Sequence, residues 1–110
     1  MNYNPSPPSN NPNITAKELQ ASLSGGEQLH LIDVREPIEF YTHNIGGINI
    51  PLGQLIQQAD DLPFNEGDEI ILICQAGLRS KTAQQILQQN GYSNTRNLTG
   101  GLLALRKLNI

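Results

Sequence analysis

The chain has 110 residues, of which 37% are hydrophobic and 15% charged, with a formal net charge of -3. That length suits one compact domain with its own core and is too short for two. No basic stretch marks a nucleic-acid face, no apolar run approaches the roughly 20 residues of a membrane span, and the start Met1-Asn2-Tyr3-Asn4-Pro5 has neither the basic nor the apolar region of a secretory signal.

Residues 1–12 hold four Pro, four Asn and two Ser. Such a composition buries little apolar surface and predicts a disordered tail, leaving residues 13–110 as the domain. Thr15 has the character of a helix N-cap, with Glu18 three residues on to complete a capping box. The helix runs to about Leu23, and Gly25-Gly26 ends it. Leu29 to Val34 is a buried strand by its β-branched, apolar content. Pro37 opens a short helix carrying Ile38, Phe40 and Tyr41. Ile48-Asn49-Ile50 is a short strand, and Leu52 to about Asp61 a modest helix.

Ile70-Ile71-Leu72-Ile73 is the most apolar run, short and bounded by polar residues, as a central strand covered on both faces would be. A helix over Arg79–Asn90 follows, with Ala83, Ile86 and Leu87 on one face and Gly91 at its C′ position. Asn94–Leu98 forms a last strand and Leu102–Leu108 a last helix. Strands alternating with helices predict an α/β domain, a parallel sheet with helices on both faces.

Cys74 is the only cysteine. Alone it forms no internal disulfide and no multi-cysteine metal site, and a lone thiol fits a soluble, cytoplasmic protein where thiols stay reduced. In isolation, a cysteine after an apolar strand reads as a small buried hydrophobe. The segment Cys74-Gln75-Ala76-Gly77-Leu78-Arg79-Ser80 changes that reading. It leaves the carboxyl end of the central strand, where open α/β sheets bind ligands, and enters a helix. Gly77 permits a tight turn. Such a turn gathers backbone N–H groups into one concavity, the helix start adds unpaired donors, and Arg79 adds a cation. All three favour an anionic sulfur.

Four segments together resemble the rhodanese family, in that family's order. They are Leu31-Ile32-Asp33-Val34-Arg35-Glu36-Pro37 with Glu39-Phe40, then Gly47 to Leu52, then Cys74 to Ser80, and finally Asn97-Leu98-Thr99-Gly100-Gly101-Leu102. The resemblance covers roughly residues 13–108. It implies a five-stranded parallel sheet between two helix layers and a sulfurtransferase of single-domain rhodanese type. Cys74 would accept a sulfane sulfur from thiosulfate or a persulfide and pass it to cyanide, a thiol or a protein acceptor. Gln75, Ala76, Gly77, Leu78 and Ser80 would cradle the substrate sulfur, and Arg79 would close the loop. No cofactor, metal, nucleic acid or membrane is implied.

Asp33 and Arg35 read as a structural ion pair, His30 and His43 as non-catalytic, and Lys81 as solvated or a weak attractor of an anionic donor. The chain departs from the family pattern at Asn44 to Gly47, at Thr99 and at Leu105. The loop residues Gln75 to Leu78 carry no charge, which favours a persulfide donor as much as dianionic thiosulfate. A phosphatase on the same fold has a Cys-to-Arg loop longer by one residue; four residues separate Cys74 from Arg79 here. The remaining alternatives are a non-catalytic binding or scaffold module and a thiol redox sensor.

Overall fold

The computed structural model describes residues 11–108. In chain order its elements are β1 (Asn13–Ile14), α1 (Ala16–Ser24), β2 (His30–Asp33), α2 (Pro37–Thr42), β3 (Ile48–Asn49), α3 (Leu52–Gln58), β4 (Ile70–Ile73), α4 (Leu78–Gln89), β5 (Thr95–Leu98) and α5 (Gly101–Lys107). The five strands form one sheet in the order β1-β5-β4-β2-β3. Every pairing is parallel.

β4 is central because all four of its side chains are apolar and can be buried on both faces of the sheet. Alternation then sorts them. Ile70 and Leu72 join Ile32, Leu55, Ala83 and Leu87 in a core under α3 and α4. Ile71 and Ile73 join Leu19, Leu31, Leu98 and Leu102 in a second core under α1 and α5. Each fully buried Leu or Ile contributes roughly 1.5–3 kcal/mol relative to exposure. The two cores hold the sheet between its helix layers.

The capping box at Thr15 and Glu18 forms as the sequence predicts, with Glu18 N donating to Thr15 Oγ1 and Thr15 N to Glu18 Oε1. α3 is shorter than its apolar pattern suggests and stops at Gln58, short of the polar turn around Asp60 and Asp61. β1 is absent from the sequence reading because two residues carry no periodicity. Its pairing comes from elsewhere in the chain: Asn97 N donates to the Pro12 carbonyl, and the Gln84 amide reaches the same oxygen. Arg96 reaches the carbonyls of Asn11 and Asn13. The tail expected over residues 1–12 lies, for residues 1–10, outside the described residues, while Asn11 and Pro12 lend their carbonyls to the sheet edge.

The chain runs from β2 outward to β3 and later from β4 outward the other way to β5. The strand order therefore switches direction between β2 and β4, and a crevice opens at their carboxyl ends. Cys74 follows β4 and Arg35 follows β2 at that edge.

Candidate active site

Cys74 leaves β4 with its side chain on the α4 face, so its sulfur is packed rather than solvated, at 1% exposure. The chain then has to turn into α4 within a few residues. Gly77 makes the turn with φ 93° as the N-cap of α4, a conformation that L-residues with a Cβ rarely adopt. That turn aims Gly77 N at Cys74 Sγ at 3.1 Å, and the first turn of α4 aims Ser80 N at the same atom at 3.3 Å. Ser80 Oγ lies 3.1 Å from Sγ.

The hydroxyl of Ser80 has a single proton. Asn97 Oδ1 only accepts, and Ser80 Oγ donates to it. Asn97 Nδ2 in turn donates to the Gly77 carbonyl at 3.2 Å, which fixes the amide's orientation. With that proton committed to Asn97, Ser80 turns a lone pair toward Cys74 Sγ. Ser80 and Asn97 are both buried.

Gln75 is half-buried, and Ala76 and Leu78 are exposed, Leu78 at 75%. The loop is thus lined inside by N–H groups and Ser80, and faces outward with Ala76 and Leu78. Its other side rests on α5. Leu102 N and Leu103 N donate to the carbonyls of Cys74 and Gln75, both at 3.0 Å. Gly101 makes this approach possible: a Cβ there would lie 2.5 Å from Cys74 O and 2.4 Å from Gln75 O.

The Arg79 guanidinium makes no hydrogen bond to the sulfur. It binds Glu39 of α2 side by side, Nη1–Oε1 at 2.7 Å and Nη2–Oε2 at 3.0 Å. Arg79 holds the Glu39 carboxyl down at about 2, helped by the Glu36 backbone N–H. The same carboxylate raises the Arg79 guanidinium further. Arg79 thus ties the end of the loop to α2, and its charge is largely matched.

Asp33 and Arg35 form a buried pair. Arg35 Nη2 is 2.8 Å from Asp33 Oδ2, and Nε 3.0 Å from Oδ1. The remaining Arg35 donors reach the carbonyls of Glu39 and His43, at 3.3 and 2.7 Å. This pair stakes α2 to the end of β2 and so sets the position of Glu39. His30 packs on Phe64, and Lys81 is exposed on α4. Beside the loop lies a cleft of about 410 Å³ lined by Arg35, Ile38, Glu39, Thr42, His43, Gln75 and Arg106.

Glu39, Asn97, Gly101 and Arg106 have no site role in the sequence reading. Glu39, Asn97 and Gly101 sit inside the quoted family segments, which was the available signal. Arg106 lies beyond them.

The geometry is that of a backbone-lined sulfur pocket on a parallel α/β sheet, and comparison with known proteins agrees. The model of the rhodanese-like domain matches residues 15–108, and the chain belongs to that family. It is 40% identical over 89 residues to the uncharacterized protein YqhL of Bacillus subtilis, covering 80% of this chain and 67% of that one. It is 34% identical over 92 residues to the putative sulfur carrier protein YrkF of the same organism, covering 83% of this chain. It spans about half of YrkF, 49% of its length. Among solved structures it resembles the human single-domain sulfurtransferase TSTD1, with a TM-score of 0.75 at 26% identity, covering 87% of this chain and 96% of that one. Among the described residues no helix is long and apolar enough to cross a membrane.

Proposed function

We propose that this domain is a sulfurtransferase that moves sulfane sulfur through a persulfide on Cys74, in a reducing, cytoplasmic setting. The observation that carries the reading is the convergence of Gly77 N, Ser80 N and Ser80 Oγ on one buried sulfur atom. A single bare thiol needs no such cradle; a sulfur that becomes anionic does. The family, and the likeness to a single-domain human sulfurtransferase, support the same chemistry.

In the first step the Cys74 thiolate attacks the outer sulfur of the donor. A new Sγ–S bond forms, the donor's S–S bond breaks, and sulfite (from thiosulfate) or a thiolate (from a persulfide) leaves with the electron pair. In the second step cyanide or an acceptor thiolate takes the outer sulfur, and the Cys74 thiolate returns. The backbone donors hold the negative sulfur at both stages. An anion at Cys74 also draws the Ser80 proton, which swings from Asn97 Oδ1 toward the sulfur. Gln75, Ala76, Gly77, Leu78 and Ser80 bound the pocket, and Arg79 holds the loop shut through Glu39. A scaffold role would leave the converging donors without a task.

The test is mass spectrometry of the intact protein after incubation with thiosulfate or an organic persulfide. The expected result is a gain of about 32 Da, one sulfur, that cyanide or excess thiol removes, as a covalent intermediate requires. Cys74→Ser should gain nothing. Wild-type protein that gains no sulfur from any donor overturns the reading.

A further inference from the structure

The cleft beside the catalytic loop has a charge that the loop itself lacks. Its lining includes Arg35, Glu39, His43 and Arg106. Arg35 is matched by Asp33 and Glu39 by Arg79. The Arg106 side chain, in the last turn of α5, makes no hydrogen bond or ion pair among the described residues. The cleft thus presents one uncompensated guanidinium in a chain of net charge -3. Its walls also carry Ile38, which is 78% exposed, and the polar side chains of Thr42 and Gln75. Its volume of about 410 Å³ falls in the range that holds organic ligands, and an inorganic anion the size of thiosulfate leaves most of it empty. Both ends of the catalytic loop border it, through Gln75 and through the Glu39 partner of Arg79.

We infer that this cleft recognises the carboxylate of an organic thiol or of its persulfide, with Arg106 as the anion anchor. A guanidinium is suited to grip a carboxylate by paired hydrogen bonds, whereas Ile38 offers apolar contact to the carbon chain. The inference rests on the sulfur-transfer reading for the ligand's sulfur end and deepens it. With a persulfide donor, Cys74 thiolate takes the outer sulfur of R–S–SH. The donor's S–S bond breaks, R–S⁻ leaves with the electron pair, and the new Cys74 persulfide releases its proton to solvent. With an acceptor, R–S⁻ takes the outer sulfur back and the Cys74 thiolate is restored.

Two experiments separate the parts. Discharge of sulfur-loaded protein to 3-mercaptopropionate is compared with discharge to 2-mercaptoethanol, which differ in the carboxylate. Wild type should prefer the carboxylate thiol. Arg106→Gln should lower the preference ratio about tenfold through KM, and Arg106→Glu should reverse it. An identical ratio in wild type and Arg106→Glu overturns the inference. Calorimetric binding of S-methylglutathione, which cannot accept sulfur, reads the cleft without the chemistry. Binding that falls at least tenfold in Arg106→Glu, and in wild type with the ligand's carboxylates esterified, supports the anchor even if Cys74 never loads. Absent binding, or binding indifferent to Arg106, sinks it even if Cys74 loads fully.

Discussion

At the scale of the residue, the sulfur pocket is built from what lies close in sequence and tuned by what lies far. The cysteine and the turn that surrounds its sulfur were legible because their logic is local. A cysteine at the end of the most apolar strand, a glycine three residues on and a helix start immediately after leave few ways to aim the N–H groups. The partners of that loop were not legible. Glu39 lies 40 residues from Arg79, and Asn97 lies 17 from Ser80. Nothing in one chain's spacing says that Arg79 meets a carboxylate instead of the sulfur. The cradle makes a definite prediction at Ser80. Ser80→Ala keeps both backbone donors and removes the hydroxyl donor, so the rate of sulfur loading on Cys74 should fall at least tenfold, in the manner of losing one donor from an oxyanion hole. The fold should persist. Stopped loading assays on Ser80→Ala and Ser80→Thr check it, because threonine restores the hydroxyl and should restore much of the rate. Equal rates in all three proteins would show that the backbone donors suffice.

At the scale of the element, the same sequence patterns that predict strands and helices also set the site's geometry. β2, β4, β5, α1 and α4 follow from apolar content and caps, and the structure differs from those expectations only at their ends. β1 is the exception, since a two-residue strand is defined by the carbonyls and amides it borrows from β5 and α4. The packing of α5 against the loop after Cys74 is a contact with little room. Gly101, at φ 62°, lets the start of α5 pass within hydrogen-bonding reach of the Cys74 and Gln75 carbonyls. In Gly101→Ala the added carbon meets backbone rather than a flexible side chain. Either α5 or the loop must move, and a left-handed φ costs a non-glycine residue roughly 1–2 kcal/mol besides. The variant should lose about 3 kcal/mol or more in denaturant unfolding, as overpacking and backbone strain together imply. Gly77→Ala meets Gly100 N at 3.0 Å and shares the strained φ, so it should cost less in stability while slowing sulfur loading, because it displaces a donor to Sγ. If Gly101→Ala unfolds at the wild-type midpoint, α5 is not pressed on the loop as described.

At the scale of the whole molecule, two ion pairs join elements that the sheet alone would leave independent, and they differ in kind. The Asp33–Arg35 pair is buried within the turn from β2 to α2, with side chains 0% and 4% exposed. Removing one member strands the other in the core, so Asp33→Ala should cost about 3–5 kcal/mol. The Glu39–Arg79 pair bridges α2 and α4 at the rim, with side chains about a third exposed, 33% and 38%. Solvent screening limits its contribution to about 1 kcal/mol or less. Its pH dependence has a definite sign. The bond to Arg79 lowers the Glu39 carboxyl from an ordinary 4.5 to about 2 in the folded protein. A carboxyl with a depressed folded value adds stability that is complete above the unfolded value and lost as pH falls through the folded one. The pair should therefore hold its full contribution above about pH 4.5 and lose it progressively toward pH 2. Glu18 is lowered as well, by its capping bonds to Thr15, and adds to the same acid slope. Glu39→Gln should make unfolding stability fall less steeply than wild type between pH 4.5 and 2. Above that window the variant should be slightly less stable than wild type. Urea unfolding of both proteins at closely spaced pH values across the window measures the difference. Parallel curves would mean that Arg79 holds Glu39 no more tightly in the folded chain than solvent does. The tie from loop to α2 would then be too weak to keep the sulfur pocket closed.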